Sequence, residues 1–306
     1  MGPRQEPLSP ALAAALAEVE AAVAHVPRPR GLAGWLDVAE AAKTRILSRA
    51  REDLTPQDLF DYVDDGPNAL PRNEALWFLP ALCRHLGAGR QCAGALGWVH
   101  TLALLRRSGF PDDWPQAAGE AMAGFVTALT ADALAAPARW APAFEDELTD
   151  PLPLFLAMAA GGGLPLDPVF RGVAALSERD RARALARWSI RAALVERGAY
   201  GGSGFEVMAE ILAADAFLPP NDMADIKNWL VVQEPWVMIA RAAEAEDEPE
   251  WQDVLDEAAG LWAEAARDGA EGRAVSPWRS RSRYLRVYRA RRRRRRQRSG
   301  QAPTTG

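Results

Sequence analysis

The chain has 306 residues, 49% hydrophobic and 25% charged, with 24 Gly, 23 Pro and only 2 Cys. This profile excludes a collagen-like, disulfide-scaffolded, mostly disordered or polytopic membrane protein, and the length holds one large core or two small ones. The net charge of −5 hides a division: 13 Arg and no acid follow residue 272, while the preceding residues hold 23 bases and 41 acids, so a body near −18 carries a tail near +13.

Helix signals dominate in chain order. Ser9 before Pro10 offers an N-cap followed by Pro in the first turn, and Ala11 to His25 is rich in Ala and Leu. A second helix is expected from Trp35 to Arg51. Thr55-Pro56-Gln57-Asp58 is the clearest start signal: Thr caps, Pro is preorganised for the first turn, and the Asp carboxylate reaches back. That helix is predicted to end near Asp65-Gly66-Pro67.

Asn73 to Leu86 and Gln91 to Arg107 read as an antiparallel pair joined by Gly87-Ala88-Gly89, with Pro80 expected to kink the first member. Cys92, Leu96, Val99 and Ala103 recur on one helical face of the second. Trp114-Pro115 opens a helix to about Ala136, followed by a loop rich in Pro and acid (Pro137 to Pro153) and a short apolar helix ending at Gly161-Gly162-Gly163. Ser177-Glu178-Arg179-Asp180 resembles a capping box and starts a helix to about Arg197. Beyond Gly201-Gly202-Ser203-Gly204, helices are predicted at Phe205 to Phe217, Asp222 to Val232, Trp236 to Ala245 and Pro249 to Arg267.

No strand-length run of alternating β-branched residues appears, so the predicted class is all-α. Helices of this length with short connections suggest stacked helical hairpins, as an irregular solenoid or an orthogonal bundle. The expected layout is an acidic helical body over residues 1–272, with any seam near residue 176, and a disordered basic tail over residues 273–306. The stretch Leu152 to Leu166 is too short and too broken by Gly and Pro to span a bilayer. Met1 to Pro10 lacks the apolar core of a signal peptide, so the expected location is cytoplasmic. Lys43 and Lys227 stand beside 34 Arg, which with the Ala, Gly and Pro content suggests GC-rich coding and a bacterial source.

The segment Asp53-Leu54-Thr55-Pro56-Gln57-Asp58-Leu59-Phe60-Asp61-Tyr62, followed by Trp77-Phe78-Leu79-Pro80-Ala81-Leu82, resembles a set of uncharacterised bacterial all-helical proteins. Their pattern is of the kind Leu-Thr-Pro-x-Asp-Leu-x-x-Tyr, then His-Phe-Leu-Pro-Arg; Trp77 and Ala81 stand where His and Arg are usual. The likeness covers about residues 45 to 200, and it implies a helical fold without a chemistry.

Gly87-Ala88-Gly89-Arg90-Gln91-Cys92 begins like a dinucleotide fingerprint but ends in Cys, and it follows a helix rather than a strand. Gly201-Gly202-Ser203-Gly204-Phe205 lacks the second Gly of a nucleophile elbow, and His25, His85 and His100 are the bases available. Cys83, His85, Cys92 and His100 lie close in sequence, yet Cys83 and His85 are two apart and point to different helical faces, which favours core thiols over a zinc site. The acids of Glu244 to Glu257, eight without a base, read as a solvated face. No cofactor, metal or catalytic set is therefore expected.

The tail carries the remaining candidate. Arg279, Arg281, Arg283, Tyr284, Arg286, Tyr288 and Arg289 interleave cations with aromatics, and Arg291, Arg292, Arg293, Arg294, Arg295 and Arg296 run unbroken. Arg pairs phosphates and aromatic rings stack on unpaired bases, so nucleic acid or an anionic membrane surface fits this composition; a solvated extension without a selected partner is the plainer reading. The leading functional expectation is a non-catalytic protein–protein interaction module. A nucleic-acid-associated protein using the tail is the first alternative, and an enzyme built from scattered acids the second.

Overall fold

The structure, a computed structural model, describes residues 8–32, 40–64, 70–89, 101–136, 151–195 and 220–270. Among these residues there are twelve α-helices, one short 3₁₀ turn (Arg51–Asp53) and no strand. The chain divides into two compact units, Met1–Arg181 with Leu218–Asp222, and Ala182–Phe217 with Met223–Gly306. The predicted helix Phe205 to Phe217, most of Gln91 to Arg107, and the whole tail from residue 273 lie outside the described residues.

The first unit begins with α1 (Pro10–Ala22), whose Ser9 hydroxyl accepts the Leu12 amide at 3.3 Å. After α2 (Glu40–Ser48) comes α3 (Pro56–Asp64), whose start is a complete capping box. The Thr55 amide donates to Asp58 Oδ2 at 2.8 Å, and the Asp58 amide donates to Thr55 Oγ1 at 3.3 Å.

The next helix, α4 (Arg72–Gly87), is apolar almost all round: every side chain from Glu74 to Leu86 except Arg84 is buried, as a helix packed on several sides must be. Pro80 sits inside it with helix continuing on both sides. Neighbours of α4 include α1, α3 and the 3₁₀ turn. Within that buried stretch Arg84 reaches outward, donating to Glu20 Oε1 at 2.8 Å and to the Glu52 carbonyl.

A short α5 (Ala103–Arg107) leads to α6 (Gln116–Ala135), which packs against α1, α7 (Pro151–Gly161) and α8 (Asp167–Ala174). Helix α8 falls where punctuation by Gly and Pro reads as a connection, and α7 starts at Pro151, inside the expected Pro-rich loop. Helices α6 and α8 approach closely at Gly172, where an added Cβ would stand 2.6 Å from both the Thr127 carbonyl oxygen and Thr130 Cβ. Backbone cannot yield cheaply there. Gly172→Ala is therefore expected to lower stability by about 1–3 kcal/mol, measurable as a drop in Tm, whereas Ala at solvent-open Gly31 leaves it nearly unchanged.

In the chain's second unit, α9 (Glu178–Val195) contributes its residues from Ala182 onward and α10 (Pro220–Gln233) those from Met223 onward, together with α11 (Pro235–Ala245) and α12 (Pro249–Ala270). Its core holds Trp188 and Trp262, both with at most 1% of their surface exposed. Trp262 Nε1 donates to the Ser189 hydroxyl at 3.1 Å, and its ring lies 5.7 Å from that of Trp236. No described helix is long and apolar enough to cross a membrane.

Candidate functional site

An open cleft of about 640 Å³ lies in the first unit, where the start of α4 faces the end of α5 and the turn after it. Leu70, Pro71, Arg72 and Asn73 form one wall; Arg106, Arg107, Ser108, Gly109 and Asp113 form the other. Two contacts set its width. The Leu70 amide donates to the Arg107 carbonyl at 2.8 Å, and Arg72 Nη1 donates to the Asp113 carbonyl at 2.7 Å.

Gly109 makes the second wall possible. Its φ of +85° is left-handed, and a Cβ there would stand 2.5 Å from Asp113 Oδ2, so the carboxylate lies where only a glycine leaves room. Ser108 is already engaged: its hydroxyl donates toward the Leu104 and Leu105 carbonyls at 2.8 Å and accepts from Trp114 Nε1 at 3.1 Å. It is a buried structural hydroxyl rather than a nucleophile.

Three of the nine lining residues are Arg and one is an acid. Arg72 and Arg106 are exposed, and the Arg106 guanidinium makes no hydrogen bond or ion pair among the described residues. Arg107 is half-buried and belongs with a polar group beneath, Tyr62 and Glu74. Tyr62 is fully buried and stacks on Phe78 with centroids 3.9 Å apart. Burial drives its phenol pKa upward, the Glu74 charge adds to the rise, and Arg107 opposes it. With Glu74 counted, the cleft still carries a net positive charge.

A second polar cluster is buried under α3. The Asp58 side chain exposes no surface and accepts from the Thr55 amide and hydroxyl, from Arg45 Nε at 2.9 Å and from Arg49 Nη1 at 2.6 Å. Burial works to raise its pKa, but the Thr55 hydrogen bonds and the two guanidiniums together outweigh it and hold the pKa below the ordinary Asp value. This group ties α2 to α3.

The second unit has two features of its own. At the loop between α11 and α12, the ligand atoms of Glu246, Asp247 and Glu248 lie within 4.8 Å of one another. Arg183 occupies that loop: it takes Glu246 bidentately at 2.9 and 2.7 Å and reaches Glu248 at 3.0 Å, while its guanidinium stands 4.6 Å from the Trp251 ring centre. The amides of Asp247 and Glu248 also donate to Glu246, whose side chain exposes no surface, so part of this acidic stretch is interior rather than solvated.

The other feature is apolar. Val231, Val232 and Val237 expose 39%, 76% and 42% of their surfaces around the corner between α10 and α11. Glu234, exposed at that corner, has φ of +45°.

Two of the four metal-ligand candidates, Cys83 and His85, lie among the described residues. Cys83 Sγ lies 3.7 Å from Met122 Sδ in the core, and His85 Nε2 pairs with the Leu54 carbonyl at 2.7 Å, while Cys92 and His100 are outside the described residues. The thirteen tail residues from Arg279 to Arg296 also lie outside them. The cleft and the valine corner escaped the sequence reading; the cleft depends on residues more than 30 positions apart, whereas Val231-Val232 beside Glu234-Pro235 was a local signal. No protein family, curated protein or solved structure matches this chain.

Proposed function

We propose that this chain is a non-catalytic helical module that docks a partner protein at the α10–α11 corner. The observation that carries the reading is the grouping of Val231, Val232 and Val237 around a left-handed Glu234. Single exposed apolar residues are ordinary on any surface. Three within seven positions, on a corner whose pivot residue is also strained, are not. A non-glycine residue in the left-handed region costs about 1–2 kcal/mol, and stability alone favours Gly or Asn there. Residues held in sparsely populated backbone regions cluster at ligand clamps, switch regions and other functional sites.

The partner this surface fits presents an apolar side chain with basic residues beside it. Glu234 sits among the valines, and the residues before 273 carry a net charge near −18. The arginine cleft of the first unit does not supply the convergent acids and His that proton-transfer chemistry would need.

The test compares the full chain with the Val232→Asp/Val237→Asp variant. Both are used to capture proteins from nuclease-treated lysate of the source organism, and each captured protein is then purified and titrated. A partner whose affinity falls about tenfold or more in the double variant, with circular dichroism unchanged, is the expected result. Equal affinity for both chains would overturn the reading. Binding lost only on removal of residues 273–306 would move the function to the tail.

A further inference from the structure

We infer that the cleft between α4 and α5 binds the phosphate group of a small phosphorylated molecule. This inference is independent of partner docking at the valine corner, because it rests on different residues in the other unit.

The first argument is charge. Arg72, Arg106 and Arg107 line one concavity in a stretch of chain whose surroundings are acidic. Like charges gathered without a counter-ion repel one another, and here the lining supplies only Asp113 against three guanidiniums. Glu74 beneath offsets Arg107, which leaves Arg72 and Arg106 facing Asp113. Arg72 contacts Asp113 through the backbone carbonyl, a neutral acceptor, and Arg106 has no partner among the described residues. An incoming anion supplies the charge the site lacks.

The second argument is geometry. A guanidinium offers a planar fork of donors that matches the oxygens of phosphate, and two forks on opposite walls clamp such a group between them. Arg72 is anchored by its bond to the Asp113 carbonyl, so part of its ordering is complete before a ligand arrives. A cleft of about 640 Å³ is larger than a lone phosphate requires and falls within the range of small-molecule sites. Leu70 and Pro71 supply an apolar edge for an organic portion. Asp113 adds selectivity: its carboxylate accepts from a hydroxyl of the ligand or from a singly protonated phosphate, and repels a ligand that offers neither.

Phenyl phosphate is the probe, titrated calorimetrically into the full chain, with inorganic phosphate and benzoate as comparisons. The variants are Arg106→Ala and Arg72→Ala; because the basic tail is the same in every sample, differences between them report the cleft. One phenyl phosphate per chain is expected to depend on the cleft, with affinity falling about tenfold or more in Arg106→Ala and an unchanged melting temperature, since Arg106 is exposed and forms no internal bond. Arg72→Ala is expected to weaken binding similarly. Inorganic phosphate is expected to bind at the same site more weakly. Identical binding by wild type and Arg106→Ala, or loss only when residues 273–306 are removed, overturns the inference. Benzoate binding as tightly as phenyl phosphate overturns the assignment to phosphate.

Discussion

Trp262→Ala is expected to destabilise the second unit by about 3–5 kcal/mol, a large share of the stability of a typical domain. Three contributions combine. The indole is 1% exposed, so truncation leaves a large void among helices that cannot close it fully. The aromatic contact with Trp236 disappears. The Ser189 hydroxyl, itself fully buried and donating to the Leu185 carbonyl at 2.8 Å, loses the indole donor that satisfies its oxygen. Trp262→Phe separates these effects, because it keeps most of the volume and removes the hydrogen bond, for an expected cost of about 1–2 kcal/mol from that bond. Urea unfolding followed by far-ultraviolet circular dichroism measures both variants. An Ala variant within about 1 kcal/mol of wild type would show that the indole is not the packing centre described above.

Asp58→Ala is expected to cost about 3 kcal/mol at neutral pH in the first unit. It removes a helix cap, worth about 1 kcal/mol, and a set of charge-assisted hydrogen bonds whose two Arg partners remain partly solvated, which limits the loss. The pH dependence follows from the direction of the shift. The folded Asp58 holds its proton less tightly than an unfolded one, whose pKa is near 3.8, so its contribution is complete above that value. It is lost as pH falls through the still lower pKa of the folded protein. The stability gap between wild type and Asp58→Ala is therefore expected to be constant from neutral pH to about 5 and to close on further acidification. Urea midpoints of both proteins at pH 7, 5 and 3 test this. A gap that widens at pH 3 would show that the carboxylate is protonated more readily when folded, against the geometry.

Local chemistry was legible in the sequence wherever a helix start is written in adjacent residues. Ser9 with Pro10, Thr55 with Asp58, and Ser177 with Asp180 all cap as their spacing implies. The all-α class follows from the same signals together with the absence of strand patterns. Helix α8 was missed because Gly161-Gly162-Gly163 and Pro165 announce a break, while Asp167-Pro168 just beyond is itself a helix start: an acid and a Pro in the first turn. Glu246 shows a different limit. Within a run of acids it is indistinguishable from solvated neighbours, and its burial is decided by Arg183 in another helix. The cleft is likewise tertiary, since neither Arg72 nor the pair Arg106-Arg107 stands out among 34 arginines.

The pairing of Arg183 with Glu246 has a consequence for how the second unit forms. The two residues are 63 positions apart. Closing a flexible loop of that length costs about 3.7 kcal/mol on the chain-length term alone. Charge-assisted hydrogen bonds are worth about 1.5–3 kcal/mol each, and less where their groups keep contact with water. The ion pair thus has little left over after loop closure. Burial of Trp188 and Trp262, at roughly 25 cal/mol for each Å² of apolar surface, supplies the larger drive to bring these segments together. Arg183 then acts as a latch. Its bidentate grip fixes the registration of α9 against the loop before α12, a specificity that tryptophan burial alone, being non-directional, does not impose.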